Sequence, residues 1–187
     1  KSDDQIEKRN SYGKVFFENR KRKGFTEYEA IQIMREGNYY GSMMVDQGDA
    51  DAMITGVTRG YRTCIKPAIQ CVGLQKDVNV VSGMYILNTK RGPLFLADTT
   101  INLNPNAEEI AEITVNVAKT IRKFNIVPKI ALLSYSNFGS SPGEDADKMS
   151  KAVQLLHENH PNIVVDGEVQ ANFALDSELM NDKFSFS

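Results

Sequence analysis

The sequence predicts an α/β fold in which helices cover both faces of a mainly parallel sheet. Two short apolar runs, 130–133 and 163–165, contain no polar break, which is typical of strands buried on both faces. Apolar stripes at helical spacing alternate with these runs, and strands that alternate with helices indicate a parallel sheet. With 187 residues, 41% of them apolar, the chain can form one large domain or two small ones.

The chain opens with a basic segment, residues 1–24, that carries eight Lys or Arg against four Asp or Glu. Such a segment is typical of a solvated helix face, and a contact with phosphates or another subunit is the alternative. Thr26 and Glu29 then stand at the spacing of a capping box, which predicts the start of a helix.

Two further helices and one strand are predicted next. Gly37 is expected to close the preceding helix, and Asn38 to cap a helix over 39–47. The run 52–56 indicates a short buried strand. Pro67 indicates that the following helix begins or kinks there, because proline lacks a backbone N–H.

Three cations, Arg59, Arg62 and Lys66, follow one another at roughly one-turn intervals. Cations on one helix face repel each other unless an anion lies between them, so this spacing favours an anion site. A solvated cationic face is the alternative.

The second half begins with two strands, 78–87 and 93–97, separated by a turn, and this pattern predicts a hairpin. Asn104 followed by Pro105 predicts the start of a long helix. The core-facing stripe of that helix recurs at helical spacing through Ile110, Ile113, Val117, Ile121 and Phe124.

A polar loop, 134–143, lies between the strand 130–133 and a helix that opens near Asp145. This order presents free backbone N–H groups and the positive end of a helix dipole, where anions bind. We therefore hypothesise a phosphate or acyl-phosphate site. An ordinary turn is the alternative, because the same residues suit one, and the loop matches neither the P-loop nor the dinucleotide fingerprint.

Three carboxylates, Asp98, Asp166 and Glu168, stand at the ends of predicted strands. Since the carboxyl ends of strands in a doubly wound sheet meet at one crevice, these side chains are candidates to orient a ligand. Capping of local loops is the equal alternative.

Several classes of function are excluded by the totals. A net charge of −2 gives no reason to expect nucleic acid, and no apolar run approaches the 18 residues of a membrane span. His157 and His160 alone do not make a metal site, and contact with a helix C-terminus is their expected role. Cys64 and Cys71 fit neither a zinc site nor a disulfide framework, so a reducing, cytoplasmic setting is expected.

Four motifs resemble those of the phosphotransacetylase family and occur in that family's order. They are Asp-Ala-Met-Ile-Thr-Gly at 51–56, Ala-Asp-Thr-Thr-Ile-Asn-Leu-Asn-Pro at 97–105, Leu-Leu-Ser-Tyr-Ser-Asn-Phe-Gly-Ser at 132–140 and Val-Val-Asp-Gly-Glu-Val-Gln at 164–170. Members of this family move an acetyl group between coenzyme A and phosphate. They fold as two α/β/α lobes with the active site in the cleft between them, and they form dimers.

The resemblance implies a three-layer α/β/α fold with residues 1–76 in the first lobe and 77–187 in the second. It also implies that the chain is a fragment. Sequence beyond Ser187 would complete the first lobe and continue the second. The family's catalytic Ser-Arg-Gly and downstream aspartate would lie there too, so no catalytic residue and no metal ligand is expected in this segment.

Departures from the family pattern sharpen the expected function. Asn137 and Phe138 stand where the enzymes usually have Thr-Lys. Lys66 stands where they have an arginine; lysine keeps the positive charge but lacks the guanidinium group that binds an anion through two parallel hydrogen bonds. Asn-Phe-Gly, with Ile-Leu-Asn-Thr-Lys-Arg-Gly at 86–92, resembles the phosphotransacetylase-like domain of bacterial NADP-dependent malic enzymes. That domain is generally taken to be non-catalytic, to bind acetyl-CoA or a related acyl-CoA as a regulator, and to help build the oligomer.

The resemblance therefore implies a regulatory acyl-CoA-binding and oligomerisation domain, with NADP and a divalent metal in an absent catalytic domain. A catalytically active phosphate acetyltransferase and a purely structural assembly module are the alternatives. The residues expected around acetyl-CoA or CoA are Ser134, Ser136, Asn137, Gly139 and Ser140, with Asp98, Asp166 and Lys66 as second choices. Replacing Ser136 with alanine is expected to weaken the ligand's effect without unfolding the domain, since a loop serine carries little core energy.

Overall fold

A computed structural model describes residues 3–187. The chain forms two compact units, and the boundary between them along the sequence lies between Asp77 and Val78. The first two residues of the basic segment 1–24 lie outside the described residues. No helix in the described part of the chain is long and apolar enough to cross a lipid bilayer.

The first unit is helical. Its elements are α1 (Asp3–Arg20), a 3-10 turn (Lys21–Lys23), α2 (Glu27–Ile33), α3 (Gly37–Asp46) and α4 (Tyr61–Cys71). The helices enclose a core that is rich in aromatic and sulfur-containing side chains: Tyr12, Phe16, Ala30, Met34, Tyr39, Met43 and Cys71. The residues of the 3-10 turn are exposed, and Lys21 forms an ion pair with Glu18. The solvated face and the contact with phosphates or another subunit both stay predictions.

The helix starts in this unit follow local hydrogen bonding. Thr26 Oγ1 accepts the N–H of Glu29, and Glu29 accepts the N–H of Thr26 at 2.9 Å, which confirms the capping box. The next start was predicted wrongly: Glu36, not Asn38, caps α3, and Gly37 opens that helix instead of closing the previous one.

Asn38 lies buried inside α3 and compensates for the proline of α4. Pro67 is buried within α4, so the helix does not begin there. Because Pro67 has no N–H, the carbonyl of Thr63 lacks its helical partner, and Asn38 Nδ2 donates to that carbonyl at 3.3 Å. Asn38 Oδ1 in turn accepts the hydroxyl of Thr55 at 2.7 Å.

The predicted buried strand at 52–56 is absent, and this prediction is wrong. The segment has no regular structure, and Ile54 is fully exposed. An apolar run forms a strand only where a neighbouring strand can pair with its backbone, and none of the described strands pairs with it. The tether from Thr55 to Asn38 holds the segment instead.

The second unit contains the strands. Its elements are β1 (Met84–Thr89), β2 (Gly92–Ala97), α5 (Ala107–Arg122), β3 (Lys129–Leu133), α6 (Glu144–Asn159), β4 (Val164–Val169), α7 (Ala171–Leu175) and α8 (Ser177–Lys183). Strands β1 and β2 pair antiparallel, which confirms the hairpin, although β1 begins at Met84 and not at residue 78. Strands β3 and β4 form a separate parallel pair.

Helix α5 packs on both sheets of this unit. Its N-cap is Asn106, two residues after the predicted start, with a capping box to Glu109. One face of α5 packs with α6, β3 and β4 in a core that includes Ile110, Leu132 and Leu156. Ile113, Val117 and Ile121 pack against the hairpin side. Only Phe124 of the predicted stripe is wrong: it lies beyond the helix end and is 53% exposed.

Candidate ligand-binding loop

The polar loop between β3 and α6 spans residues 134–143 and lies beside the carboxyl end of β4. Backbone hydrogen bonds fix this position: Ser134 N donates to the carbonyl of Val169 at 3.0 Å, and Phe138 N donates to the carbonyl of Glu168 at 2.8 Å. The loop is therefore attached along β4 at two points.

A bulge in β4 directs Glu168 into this loop. Leu132 pairs with Gly167 and Leu133 pairs with Val169, so Glu168 is an extra residue in the ladder. Its side chain is only 3% exposed. Glu168 Oε1 accepts the hydroxyl of Ser136 at 3.0 Å and the backbone N–H of Gly139 at 2.6 Å.

Gly167 is required for this bulge. Its φ of +136° lies in a region that side chains rarely adopt, and a Cβ there would stand 2.6 Å from the carbonyl oxygen of Leu132. The sequence contains both residues in Asp-Gly-Glu, where the glutamate is one of three candidate carboxylates at predicted strand ends. The signal in the sequence that distinguishes Glu168 from the other two carboxylates is Gly167, directly before it.

The serines of the loop bond to the loop itself. Ser134 Oγ accepts the N–H of Ser136 at 3.2 Å, and Ser136 Oγ accepts the N–H of Ser141 at 3.1 Å. Ser140 Oγ accepts the N–H of Asn137 at 2.9 Å. These contacts define the loop conformation and occupy all three hydroxyl oxygens as acceptors.

Gln170 completes the attachment of the loop to β4. Its backbone N–H donates to Asn137 Oδ1 at 2.8 Å, and its side-chain Nε2 donates to the carbonyl of Tyr135 at 2.6 Å. Ser136 and Asn137 are consequently buried, whereas Gly139, Ser140 and half of the Tyr135 side chain are exposed. A ligand at this loop would meet the exposed residues first.

Phe138 belongs to an aromatic cluster rather than to a charged site. Its ring lies 5.1 Å from that of Phe184 and 5.2 Å from that of Phe186, centroid to centroid. Phe173 also packs on Phe184 at 5.1 Å. The residue at which the family usually has lysine therefore contributes packing in this chain.

The charges around the loop are negative. The first turn of α6 carries Glu144, Asp145 and Asp147, and no side chain among residues 3–187 caps its N-terminus at Gly143. Lys148 is the nearest cation along that helix, and it is bound to Asp145 at 3.0 Å. Carboxylates already complement the helix dipole here, so the surroundings favour a neutral ligand group over a phosphate.

The second-choice carboxylates have local partners. Asp98 Oδ1 accepts the side-chain N–H of Asn102 at 2.8 Å and caps its own bend. Asp166 accepts the N–H of Gly167 at 2.8 Å and the hydroxyl of Ser187 at 2.6 Å. For Asp98, the structure shows the loop-capping alternative.

Lys66 and its neighbouring cations lie in the first unit. Arg62 and Lys66 are both exposed and stand four residues apart on α4. Arg59 precedes the helix and forms an ion pair with Glu36, so the predicted set of three cations on one helix face is wrong. The described structure leaves the remaining pair free to meet an anion.

Comparisons with known proteins agree on one family. The sequence profile of the family described as "Phosphate acetyl/butaryl transferase" matches residues 2–187. The chain is 38% identical to an NADP-dependent malic enzyme of Escherichia coli over 92% of its own length and 23% of that protein. It is 34% identical to a phosphate acetyltransferase of Clostridium acetobutylicum over 92% of its length and 54% of that protein.

Solved structures extend the agreement to the fold. A phosphotransacetylase from Streptococcus pyogenes superposes with a TM-score of 0.82 at 34% identity, covering 95% of this chain and 54% of that one. The chain thus spans about half, or less, of the length of these relatives. The predicted α/β fold of phosphotransacetylase type is confirmed. The described strands form one antiparallel and one parallel pair instead of one mainly parallel sheet, because β1 and β2 are joined by a hairpin turn and pair only with each other.

Proposed function

Since the chain belongs to the phosphate acetyl/butyryl transferase family, we propose that it is the regulatory acyl-CoA-binding and oligomerisation domain of a malic enzyme. The parent protein would decarboxylate malate oxidatively to pyruvate with NADP. NADP and a divalent metal belong to a catalytic domain outside this chain, in the cytoplasm. Acetyl-CoA would act at a distance by favouring one arrangement of the oligomer.

The observation that carries the proposal is the anchoring of the loop 134–143. Ser136 is buried and bonded to Glu168 of β4, and Asn137 is buried and bonded to Gln170 directly after that strand, so neither is presented as a nucleophile or acid–base group. Phe138 lies in an aromatic cluster. A loop that is anchored in this way and exposes Gly139, Ser140 and Tyr135 suits recognition of a bound molecule better than chemistry on it.

The malic enzyme assignment is supported by the relatives. NADP-dependent malic enzymes of Escherichia coli and Salmonella typhimurium match over 92% of this chain at 38% and 37% identity. Asn137 and Phe138 are the residues on which the resemblance to these proteins rests, and both have defined partners in the structure.

The direct test is malate oxidation by the full-length protein, followed as NADPH formation, with and without saturating acetyl-CoA. We expect acetyl-CoA to change the rate. Tyr135→Ala is expected to weaken this effect, and Tyr28→Ala is the control because it removes another exposed tyrosine (73% against 52%), from α2 of the other unit. An unchanged rate with saturating acetyl-CoA would remove the regulatory proposal.

A second candidate is an active phosphate acetyltransferase, which the names of several relatives favour. Thiolate attack of coenzyme A on acetyl phosphate would then be accelerated by cations that hold the phosphate and by donors to the developing oxyanion. Formation of acetyl-CoA from acetyl phosphate and coenzyme A by the full-length protein would support this candidate over the first.

A third candidate is a structural assembly module whose ligand site is vestigial. Three consecutive apolar residues of β1, Tyr85, Ile86 and Leu87, are between 44% and 51% exposed, which favours a role in contacts between subunits. Calorimetry separates this candidate from the others. Neither heat nor thermal shift with acetyl-CoA, coenzyme A or acetyl phosphate, in a protein that is still a dimer or larger, would favour it.

A further inference from the structure

Asn38 is the residue through which α3 holds the first turns of α4. Only 7% of it is exposed, and both ends of its amide have partners in other segments. Nδ2 donates to the carbonyl of Thr63 at 3.3 Å, and Oδ1 accepts the hydroxyl of Thr55 at 2.7 Å. Burial of an amide is costly unless its polar atoms are satisfied. Both bonds therefore have to form for Asn38 to be buried without a penalty.

The helical turn between Arg62 and Lys66 depends on the bond to Thr63. In an uninterrupted helix, the N–H of residue 67 would close this turn on the carbonyl of Thr63, and Pro67 has no N–H. Arg62 and Lys66 lie four residues apart on one face and repel each other, and neither forms an ion pair in the described part of the chain. A turn that lacks one hydrogen bond and carries two like charges needs support from outside the helix, which Asn38 supplies.

This support determines whether one anion can contact both cations. While the turn is helical, Arg62 and Lys66 are separated by about 6 Å along the helix axis. If the turn unwinds, repulsion drives the two side chains apart. Lys66 is one of the residues expected around acyl-CoA, whose negative charges all belong to its phosphates. The pantetheine arm and the acyl group are neutral, so the spacing of the cations matters to them much less.

We propose that Asn38 is a positioning residue for the phosphates of acyl-CoA. Through the carbonyl of Thr63 it keeps the turn that carries Arg62 and Lys66 helical, and these two cations contact a phosphate. Asn38 is buried and does not touch the ligand itself. This inference rests on the proposed acyl-CoA binding and adds the residue on which the cationic contact depends.

The test is Asn38→Ala in the full-length protein, with affinities measured by calorimetry. Acetyl-CoA is expected to bind at least about tenfold more weakly. S-acetyl-pantetheine, which has no phosphate, is expected to bind with unchanged affinity. Lys66→Ala should show the same pattern, because it removes one of the two cations directly.

Tyr39→Phe is the matched control for a general loss of stability. Tyr39 follows Asn38 in α3, is equally exposed at 7%, and also bonds to α4, where its hydroxyl donates to Gln70 Oε1 at 2.6 Å. This bond lies beyond Pro67, away from the turn with the two cations. Thermal unfolding should show that both variants are destabilised, and only Asn38→Ala is expected to weaken the binding of acetyl-CoA.

A second substitution at Pro67 tests the route from Asn38 to the cations. Pro67→Ala returns an N–H at position 67, which can donate to the carbonyl of Thr63 in place of Asn38. The double variant Asn38→Ala/Pro67→Ala is therefore expected to bind acetyl-CoA as tightly as Pro67→Ala alone. If Asn38→Ala by itself fails to fold, this comparison still tests the inference, and weaker binding by the double variant would overturn it.

The remaining outcomes separate the inference from the proposed function. The inference is overturned if Tyr39→Phe weakens acetyl-CoA binding as much as Asn38→Ala does, if S-acetyl-pantetheine loses as much affinity as acetyl-CoA, or if Lys66→Ala binds acetyl-CoA normally. Each of these results leaves acyl-CoA binding standing. If the wild-type protein does not bind acetyl-CoA, the inference and the proposed function both fall.

Discussion

Replacing Ser136 with alanine changes a side chain that the sequence places in an ordinary polar loop and the structure buries completely, with 0% of its surface exposed. Its hydroxyl donates to Glu168 and accepts from Ser141 N. The substitution removes both hydrogen bonds at once. The expectation that stability would be unaffected is therefore replaced by a substantial predicted loss.

The magnitude follows from the two bonds. A hydrogen bond to a carboxylate contributes about 1.5–3 kcal/mol, and leaving the partly buried N–H of Ser141 without its acceptor costs about 1 kcal/mol. Glu168 keeps the N–H of Gly139 as a donor, which limits the damage. We expect the free energy of unfolding to fall by about 3 kcal/mol, and Tm by about 10 °C for a unit of about 110 residues.

Urea unfolding followed by circular dichroism measures this loss, since the chain has no tryptophan to report by fluorescence. Ser140→Ala is the matched control: that serine is exposed and supplies a single bond, to Asn137 N, so a loss of about 1 kcal/mol or less is expected. If both variants unfold at the same urea concentration, or if Ser136→Ala loses less than about 1 kcal/mol, the buried network does not hold this loop.

Three further predictions test other parts of the structure. Gly167→Ala is expected to destabilise the second unit by about 3 kcal/mol or more, because its backbone φ disfavours a side chain and the added Cβ overlaps the carbonyl oxygen of Leu132. Gly139→Ala is the control: it has open space around it and loses only about 1 kcal/mol, through its φ of +83°. Equal urea midpoints for the two variants would contradict this prediction. Backbone N–H donation from Asn79 lowers the pKa of Glu112, so this carboxylate contributes stability at neutral pH that is lost as the pH falls through its depressed pKa. Glu112→Gln should therefore flatten the acid limb of a stability–pH curve below about pH 4.3, and an unchanged limb would argue against the contact. Burial raises the pKa of the Cys71 thiol to about 12. Iodoacetamide should therefore modify the partly exposed Cys64 in the native protein and Cys71 only after unfolding, which mass spectrometry can measure. Rapid labelling of Cys71 in the native protein would mean that α4 is not packed as described.

Local signals in the sequence predicted the elements whose formation is local. The capping box of Thr26 and Glu29 needs only residues three apart, and the stripe of α5 needs only helical periodicity. Strand β3 and the hairpin were likewise predicted because short runs, 130–133, 78–87 and 93–97, carry their pattern. The four ordered motifs predicted the family, which the comparisons confirm.

Errors arose where the partner lies far along the chain. Residues 52–56 have the composition of a strand, but Asn38 holds Thr55, and no strand in the described part of the chain pairs with them. Of the two alternatives for Pro67, a helix start is wrong and a kink stays a prediction. Pro67 lies inside α4, and Asn38, 29 positions earlier, donates to the carbonyl that the proline leaves free. Neither hydrogen bond is visible in a local window of sequence.

For the candidate site, the sequence by itself determined which loop to consider and that its glycines and serines suit a turn between a strand and a helix. Only the tertiary structure decided what those residues do. The bulge at Gly167 places Glu168, 32 positions after Ser136, against the loop. This contact buries Ser136 and holds the backbone of Gly139. The physical reason is that the burial and hydrogen bonding of a side chain depend on which distant segments of the chain pack together. A one-residue bulge also turns a side chain to the other face of the strand, and the apolar pattern that predicts the strand does not reveal the bulge.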